Sequence, residues 1–114
     1  MIALINGQRA AAGIGPVSAQ SCPDSFAEPW SPQMAAAGGL SHQSLSPFLS
    51  RCGAHAAAEN VGMTGNVPPG DMMALFMGSA PHRATILNPA LTGVGVGAYQ
   101  DSRGSWWVTQ DFIG

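Results

Sequence analysis

Three histidines and a handful of carboxylates carry nearly all the groups of this chain that can bind a metal or move a proton at neutral pH. His82 sits in Ser79 to Asn88, which reads Ser-Ala-Pro-His-Arg-Ala-Thr-Ile-Leu-Asn. Proline near a helix start costs no hydrogen bond, and Asn88-Pro89 is a stop, so the stretch predicts a short helix over Pro81 to Leu87. In its first turn His82 shares a face with Ile86 and can face an opening; a histidine that only caps or packs is the bland alternative. His42 lies in Leu40 to Ser50, which is serine-rich, lacks periodicity and predicts a loop. Glu59 opens a short predicted strand, Glu59-Asn60-Val61-Gly62. Two imidazoles and a carboxylate form a ligand set for a divalent metal such as zinc, with Glu59 binding directly or through water. No two of the three share a local motif such as His-Glu-x-x-His. His55, flanked by alanines, reads as exposed or capping.

These residues need elements to place them. Met1, Ile2, Ile5, Ala10 and Ala12 form a helical stripe that Gly13 can end. Phe26, Trp30, Met34 and Ala37 form another, but Pro29 and Pro32 each remove an amide donor, so a break is expected, with Ser31 as cap and Pro32 as the first helical residue. Gly53 to Ala58 is small and alanine-rich and can be helix. Asn66 to Gly70 reads as a turn, after which Asp71 can cap a helix through Met72, Met73, Leu75, Phe76 and Met77, with the methionines filling core rather than binding a ligand. The period then changes to two. Gly93-Val94-Gly95-Val96-Gly97-Ala98-Tyr99 is a strand with a glycine face, Asp101 to Gly104 a turn, and Ser105 to Ile113 a second strand. That second strand sets Trp106, Val108, Gln110 and Phe112 on one face and Trp107, Thr109, Asp111 and Ile113 on the other. Helices first and a C-terminal hairpin last predict an α+β fold, helices packed on a small antiparallel sheet.

Composition narrows the classes. The 114 residues make one domain, of which only 9% are charged, with a net charge of -2 and no lysine. No basic stripe exists for nucleic acid, and the longest uncharged run within the predicted helices and loops, Pro29 to Ser50, is too broken to span a bilayer. Cys22 and Cys52 are an even pair in a small chain, which fits one disulfide and an oxidising compartment; two buried free thiols are the alternative. A bridge would contribute roughly 3 to 4 kcal/mol in the chain-entropy view. The first residues already read as domain, so a mature form, or one to which Met1 was added, is expected.

Six short motifs occur in a recognisable order: Leu4-Ile5-Asn6 with Arg9, Leu40-Ser41-His42, Glu59-Asn60, Pro81-His82-Arg83 with Ile86-Leu87, Gly93-Val94-Gly95-Val96, and Trp107-Val108-Thr109-Gln110-Asp111-Phe112. Together they resemble the CAP superfamily of cysteine-rich secretory, antigen 5 and pathogenesis-related 1 proteins, most closely its small bacterial SCP-like members. The resemblance implies an α-β-α sandwich, a secreted or cell-envelope protein, and a cleft of two histidines and two acids that in some members holds zinc. His42 and His82 match the two histidines and Glu59 the first glutamate. The second glutamate has no counterpart, because Phe76-Met77 stands where the eukaryotic pattern has tryptophan and an acid.

Three functions follow as expectations. One is a secreted binding module with a His42, His82 and Glu59 metal cleft and a groove for a lipid, sterol or protein partner. The second is a metal-dependent, protease-like hydrolase with Glu59 as general base. The third is a structural envelope protein without chemistry. No Gly-x-Ser-x-Gly setting supports a serine nucleophile.

Overall fold

The computed structural model describes all residues 1–114. Its centre is a four-stranded sheet built from β1 (Ser18–Ala19), β2 (Ala57–Thr64), β3 (Gly93–Gln100) and β4 (Trp106–Ile113), in the order β1-β3-β4-β2. β3 and β4 form the expected hairpin, and β2 adds antiparallel to β4 with Glu59 opposite Asp111 and Asn60 opposite Gln110. The sheet is mixed, because the two-residue β1 pairs parallel with β3. At the hairpin turn Asp101 accepts from the amides of Arg103 and Ser105 and from Trp107 Nε1. The bond from Trp107 is the main reason its carboxyl is held below the usual range.

Strand alternation divides the side chains between two helical layers. Val94, Val108 and Phe112 face a layer of α1 (Ile2–Ala11), α4 (Met72–Met77) and α5 (Ala80–Ile86), where they pack with Ile5, Met72, Met73, Phe76 and Ile86. The methionines of α4 thus fill core, as expected. On the opposite face lies α2 (Ser21–Ala37), whose Met34 packs against Val61 and Trp107 and whose Ser31 hydroxyl bonds Thr109 at 2.8 Å. The result is the α-β-α sandwich.

α2 runs unbroken through Pro29 and Pro32, correcting the expected stop at Ser31. The carbonyls that the two prolines leave without an i+4 donor belong to Ser25 and Glu28, both on the exposed side, where water can serve them. The inward face of Pro23, Ala27, Ser31 and Met34 keeps the helix seated on the sheet. That seat needs glycine in β3: a Cβ on Gly95 would overlap the backbone of Pro23 and Asp24, and one on Gly97 that of Ala27. We expect Gly95→Ala to destabilise the domain by about 3 kcal/mol, at the upper end of overpacking costs, because backbone rather than a flexible side chain must move. An unchanged denaturant midpoint for this variant would contradict the close approach.

Two further expectations are corrected. Leu40 to Ser50 is not loop throughout, since α3 (Ser46–Arg51) begins in it with Pro47 in its first turn. Gly53 to Ala58 is not helix; Gly53 turns with φ 63° and β2 starts at Ala57. Both follow from tertiary tethers. Phe48 packs on Phe26 with ring centroids 4.4 Å apart, and Cys22 and Cys52 form a disulfide that ties the start of α2 to the end of α3. Ala56 and His55 then bond Gly114, which lines the chain up as a strand beside β4. In α1 the expected stripe holds for Ile5, which is buried, and for Met1 and Ile2, which pack against the core, but Ala10 and Ala12 stay exposed and Arg9 is buried instead.

Candidate functional site

β2 is an edge strand, and its alternation decides the site. Glu59 points to the α2 side of the sheet, together with Asp111, while Asn60 points to the α4–α5 side, together with Gln110. His42, in the loop after α2, comes down on Glu59: its Nδ1 lies 2.9 Å from Glu59 Oε1. A carboxylate only accepts, so Nδ1 is the donor and carries a hydrogen. The Glu59 side chain is 1% exposed whereas that of His42 is 63% exposed, so a buried carboxylate holds an open ring. Trp30 Nε1 bonds the carbonyl of Ser41 at 2.8 Å and anchors the loop just before His42.

Gln43 completes the enclosure. Its amide N–H donates to Glu59 Oε1 at 2.9 Å, and its side-chain Nε2 donates to Glu59 Oε2 at 2.7 Å and to Asp111 Oδ2 at 2.9 Å. Asp111 is wholly buried, and its Oδ1 finds no donor. Burial first, then the hydrogen bond with Glu59 and its charge, push the Asp111 carboxyl up to about 9.

His82 stands in the other layer. It is the third residue of α5, and its Nδ1 lies 2.9 Å from the hydroxyl of Ser79, the residue before the helix. Its ring packs on Phe76 with centroids 5.0 Å apart, and its carbonyl accepts from Asn60 Nδ2 at 3.2 Å. Phe76, which stands where the eukaryotic pattern has tryptophan, thus steadies the imidazole. Burial, and secondarily the charge of His42, hold His82 below the ordinary histidine value. It is therefore a neutral base at neutral pH.

In each histidine Nδ1 is committed, to Glu59 or to Ser79, and Nε2 has no partner within the chain. Glu59 has both oxygens occupied and reaches the site through His42. No three His, Cys, Asp or Glu side chains cluster as a metal cage. His55 is exposed and lines a separate concavity of about 190 Å³ beside Cys52. The largest concavity, about 450 Å³, mixes Met63 and Trp107 with Asp101, Ser102, Arg103 and Ser105 and is lined by neither His42 nor His82. Sequence reasoning did not single out Gln43, Ser79 or Asp111. The adjacency of Gln43 to His42 and the alternation that puts Asp111 on the α2 face were the available signals.

The chain matches the cysteine-rich secretory protein family, CAP, over residues 2–112. It belongs to that family. Among solved structures, 98% of this CAP domain superposes on an extracellular protein containing an SCP domain from Bacillus anthracis, with a TM-score of 0.82 and 24% identity. It superposes as fully on an outer surface protein from Borrelia burgdorferi, with a TM-score of 0.83 and 9% identity over 87% of that chain. A cysteine-rich secretory protein from Staphylococcus aureus gives 0.69 and 20% identity. At these identities the likeness is one of fold. The domain spans 38% of the Bacillus chain and 37% of the Staphylococcus chain. Curated protein sequences give no match. No helix of the domain is long and apolar enough to cross a membrane.

Proposed function

We propose that this CAP domain is an extracellular binding module whose working element is the His42–His82 pair. The pair takes a divalent metal such as zinc through its two Nε2 atoms and leaves the remaining coordination to water or to the bound partner. The observation that carries this reading is the commitment of both Nδ1 atoms, to Glu59 and to Ser79, which fixes each ring: the carboxylate leaves the Nε2 lone pair of His42 free, and the Ser79 hydroxyl, which can accept as well as donate, allows the same tautomer in His82. A carboxylate behind a ligating histidine raises its basicity and fixes its orientation, so Glu59 supports His42 from behind rather than binding the metal itself. The donor set fits an open site with two imidazoles; it does not fit a closed four-ligand structural zinc site. When bound, such a metal supplies Lewis acidity and a fixed charge at the rim of the edge strand. The His82 environment keeps that ring unprotonated, and so ready to bind, at neutral pH.

The disulfide and the extracellular and outer-surface relatives support an exported protein. The hydrolase alternative draws little from the geometry, because Glu59 is enclosed by three hydrogen bonds and is not placed to take a proton from water. A lipid or sterol groove draws little as well, since the largest concavity is rimmed by Asp101, Arg103 and two serines. A partner that brings its own carboxylate or other oxygen ligand to the metal fits the open pair better.

Zinc titration by calorimetry tests the reading. One ion per chain is expected for the unsubstituted protein near neutral pH, with binding lost in His42→Ala and in His82→Ala and retained in His55→Ala. Equal zinc uptake by all four proteins would end the proposal.

A further inference from the structure

We propose that Asp111 and Gln43 are positioning residues for His42: a buried brace in which the Gln43 side chain ties two carboxyls together and so holds Glu59 where it fixes His42 Nδ1. This deepens the cleft reading and rests on it only in that His42 is the group being positioned.

The brace follows from register and from one unsatisfied atom. Glu59 and Asp111 are directly opposite on β2 and β4, with their side chains on the same face. Two ionised carboxylates in that arrangement repel, and here both are buried. Gln43 Nε2 has two hydrogens and spends one on each carboxyl, at 2.7 Å on Glu59 and 2.9 Å on Asp111. That satisfies Asp111 Oδ2 but leaves Oδ1 buried and without a donor. An ionised oxygen in that position would be costly, whereas a carboxylic O–H would itself be a donor, and its neighbour is Glu59. Asp111 therefore acts as an acid that donates to Glu59 and accepts from Gln43. Glu59 then receives four donors: this O–H, the side chain and the amide of Gln43, and His42 Nδ1–H. With its other lone pairs used, Glu59 has one place left for His42, which selects the Nδ1–H tautomer and sends the free lone pair of Nε2 outward. A purely structural Asp111 would fill space between the strands without influencing which ring nitrogen of His42 carries the hydrogen.

The test is the ring ¹⁵N spectrum of His42 in metal-free protein at about pH 7.5, where an ordinary imidazole is neutral. Asp111→Asn keeps both functions, an oxygen facing Gln43 and an N–H facing Glu59, and should retain the single Nδ1–H signature. Asp111→Ala and Gln43→Leu should lose it and shift towards the tautomer mixture of a free imidazole. The indole N–H signals of Trp30 and Trp107 report that each variant is folded. Gln43 sits in a half-buried loop position, so Gln43→Leu together with Asp111→Asn decides the matter even if Asp111→Ala fails to fold. Loss of the signature in folded Asp111→Asn, or its survival in folded Gln43→Leu, overturns the brace. Because no metal is present, a protein that shows the expected tautomers but binds no zinc would reject the metal reading and leave the brace standing.

Discussion

Arg9→Ala should destabilise this domain more than any other single truncation considered, by about 5 kcal/mol, if several buried carbonyls each lose about 1–3 kcal/mol on losing their donor. Arg9 is 1% exposed and spreads its guanidinium over four carbonyls: Gly15 at 2.7 Å from Nε, Ile86 and Asn88 at 2.9 and 3.0 Å from Nη1, and Leu91 at 2.9 Å from Nη2. Three of these acceptors lie at the end of α5 and in the chain that leads into β3, and the fourth, Gly15, lies in the loop after α1. One side chain from the first helix thereby satisfies the C-terminal carbonyls of the helix that carries His82. Total stabilities of about 5–15 kcal/mol leave little after such a loss. Arg9→Lys should recover only part of it, since one ammonium cannot reproduce the planar fork. Urea denaturation of the two variants measures this, and a loss below about 1 kcal/mol for Arg9→Ala would show that the carbonyls find other donors.

The second large effect is a dependence of stability on pH that has its origin in Asp111. Its carboxyl is pushed up to about 9 in the folded domain, by burial first and by Glu59 second. An unfolded aspartate ionises near its ordinary value of 3.8. Between these values the folded chain holds a proton that the unfolded chain has released, so the unfolded state binds fewer protons and stability falls as pH rises. The contribution is complete below about pH 4 and is progressively lost up to about pH 9, with a limiting slope of about 1.4 kcal/mol per pH unit for one proton. Asp111→Asn removes the titrating group while keeping its hydrogen-bond pattern. The substituted protein should therefore match the unsubstituted one near pH 4 and gain on it steadily towards pH 8. Denaturant midpoints for both proteins across that range measure the difference, and two parallel curves would show that Asp111 ionises normally.

Much of the fold was legible because its signals are local. The Gly93 to Tyr99 alternation, the turn at Asp101 to Gly104 and the apolar run from Met72 to Met77 each specify their element without help from distant residues. α2 was misread because proline costs are local while its stabilisation is not: Gly95 and Gly97, far along the chain, make room for it. α3 was hidden for the same reason, since Phe48 and Cys52 gain their meaning only beside Phe26 and Cys22. In the site, His42, Glu59 and His82 could be named from their order in a family pattern. Their division of labour could not, because it depends on strand register. Only the pairing of Glu59 with Asp111 shows that the carboxylate is enclosed, and the proposed convergence of two imidazoles, from a loop and a helix in opposite layers, depends on the edge position of β2.

That convergence is the central claim, and the ring nitrogens of the two histidines report on it directly. In a ¹⁵N-resolved titration with zinc near neutral pH, the Nε2 resonances of His42 and His82 should move together and saturate at one ion per chain, while Nδ1 of His42 keeps its hydrogen and His55 stays unchanged. If zinc moves only one of the two rings, or moves His55 as much as either, His42 and His82 do not form a common site.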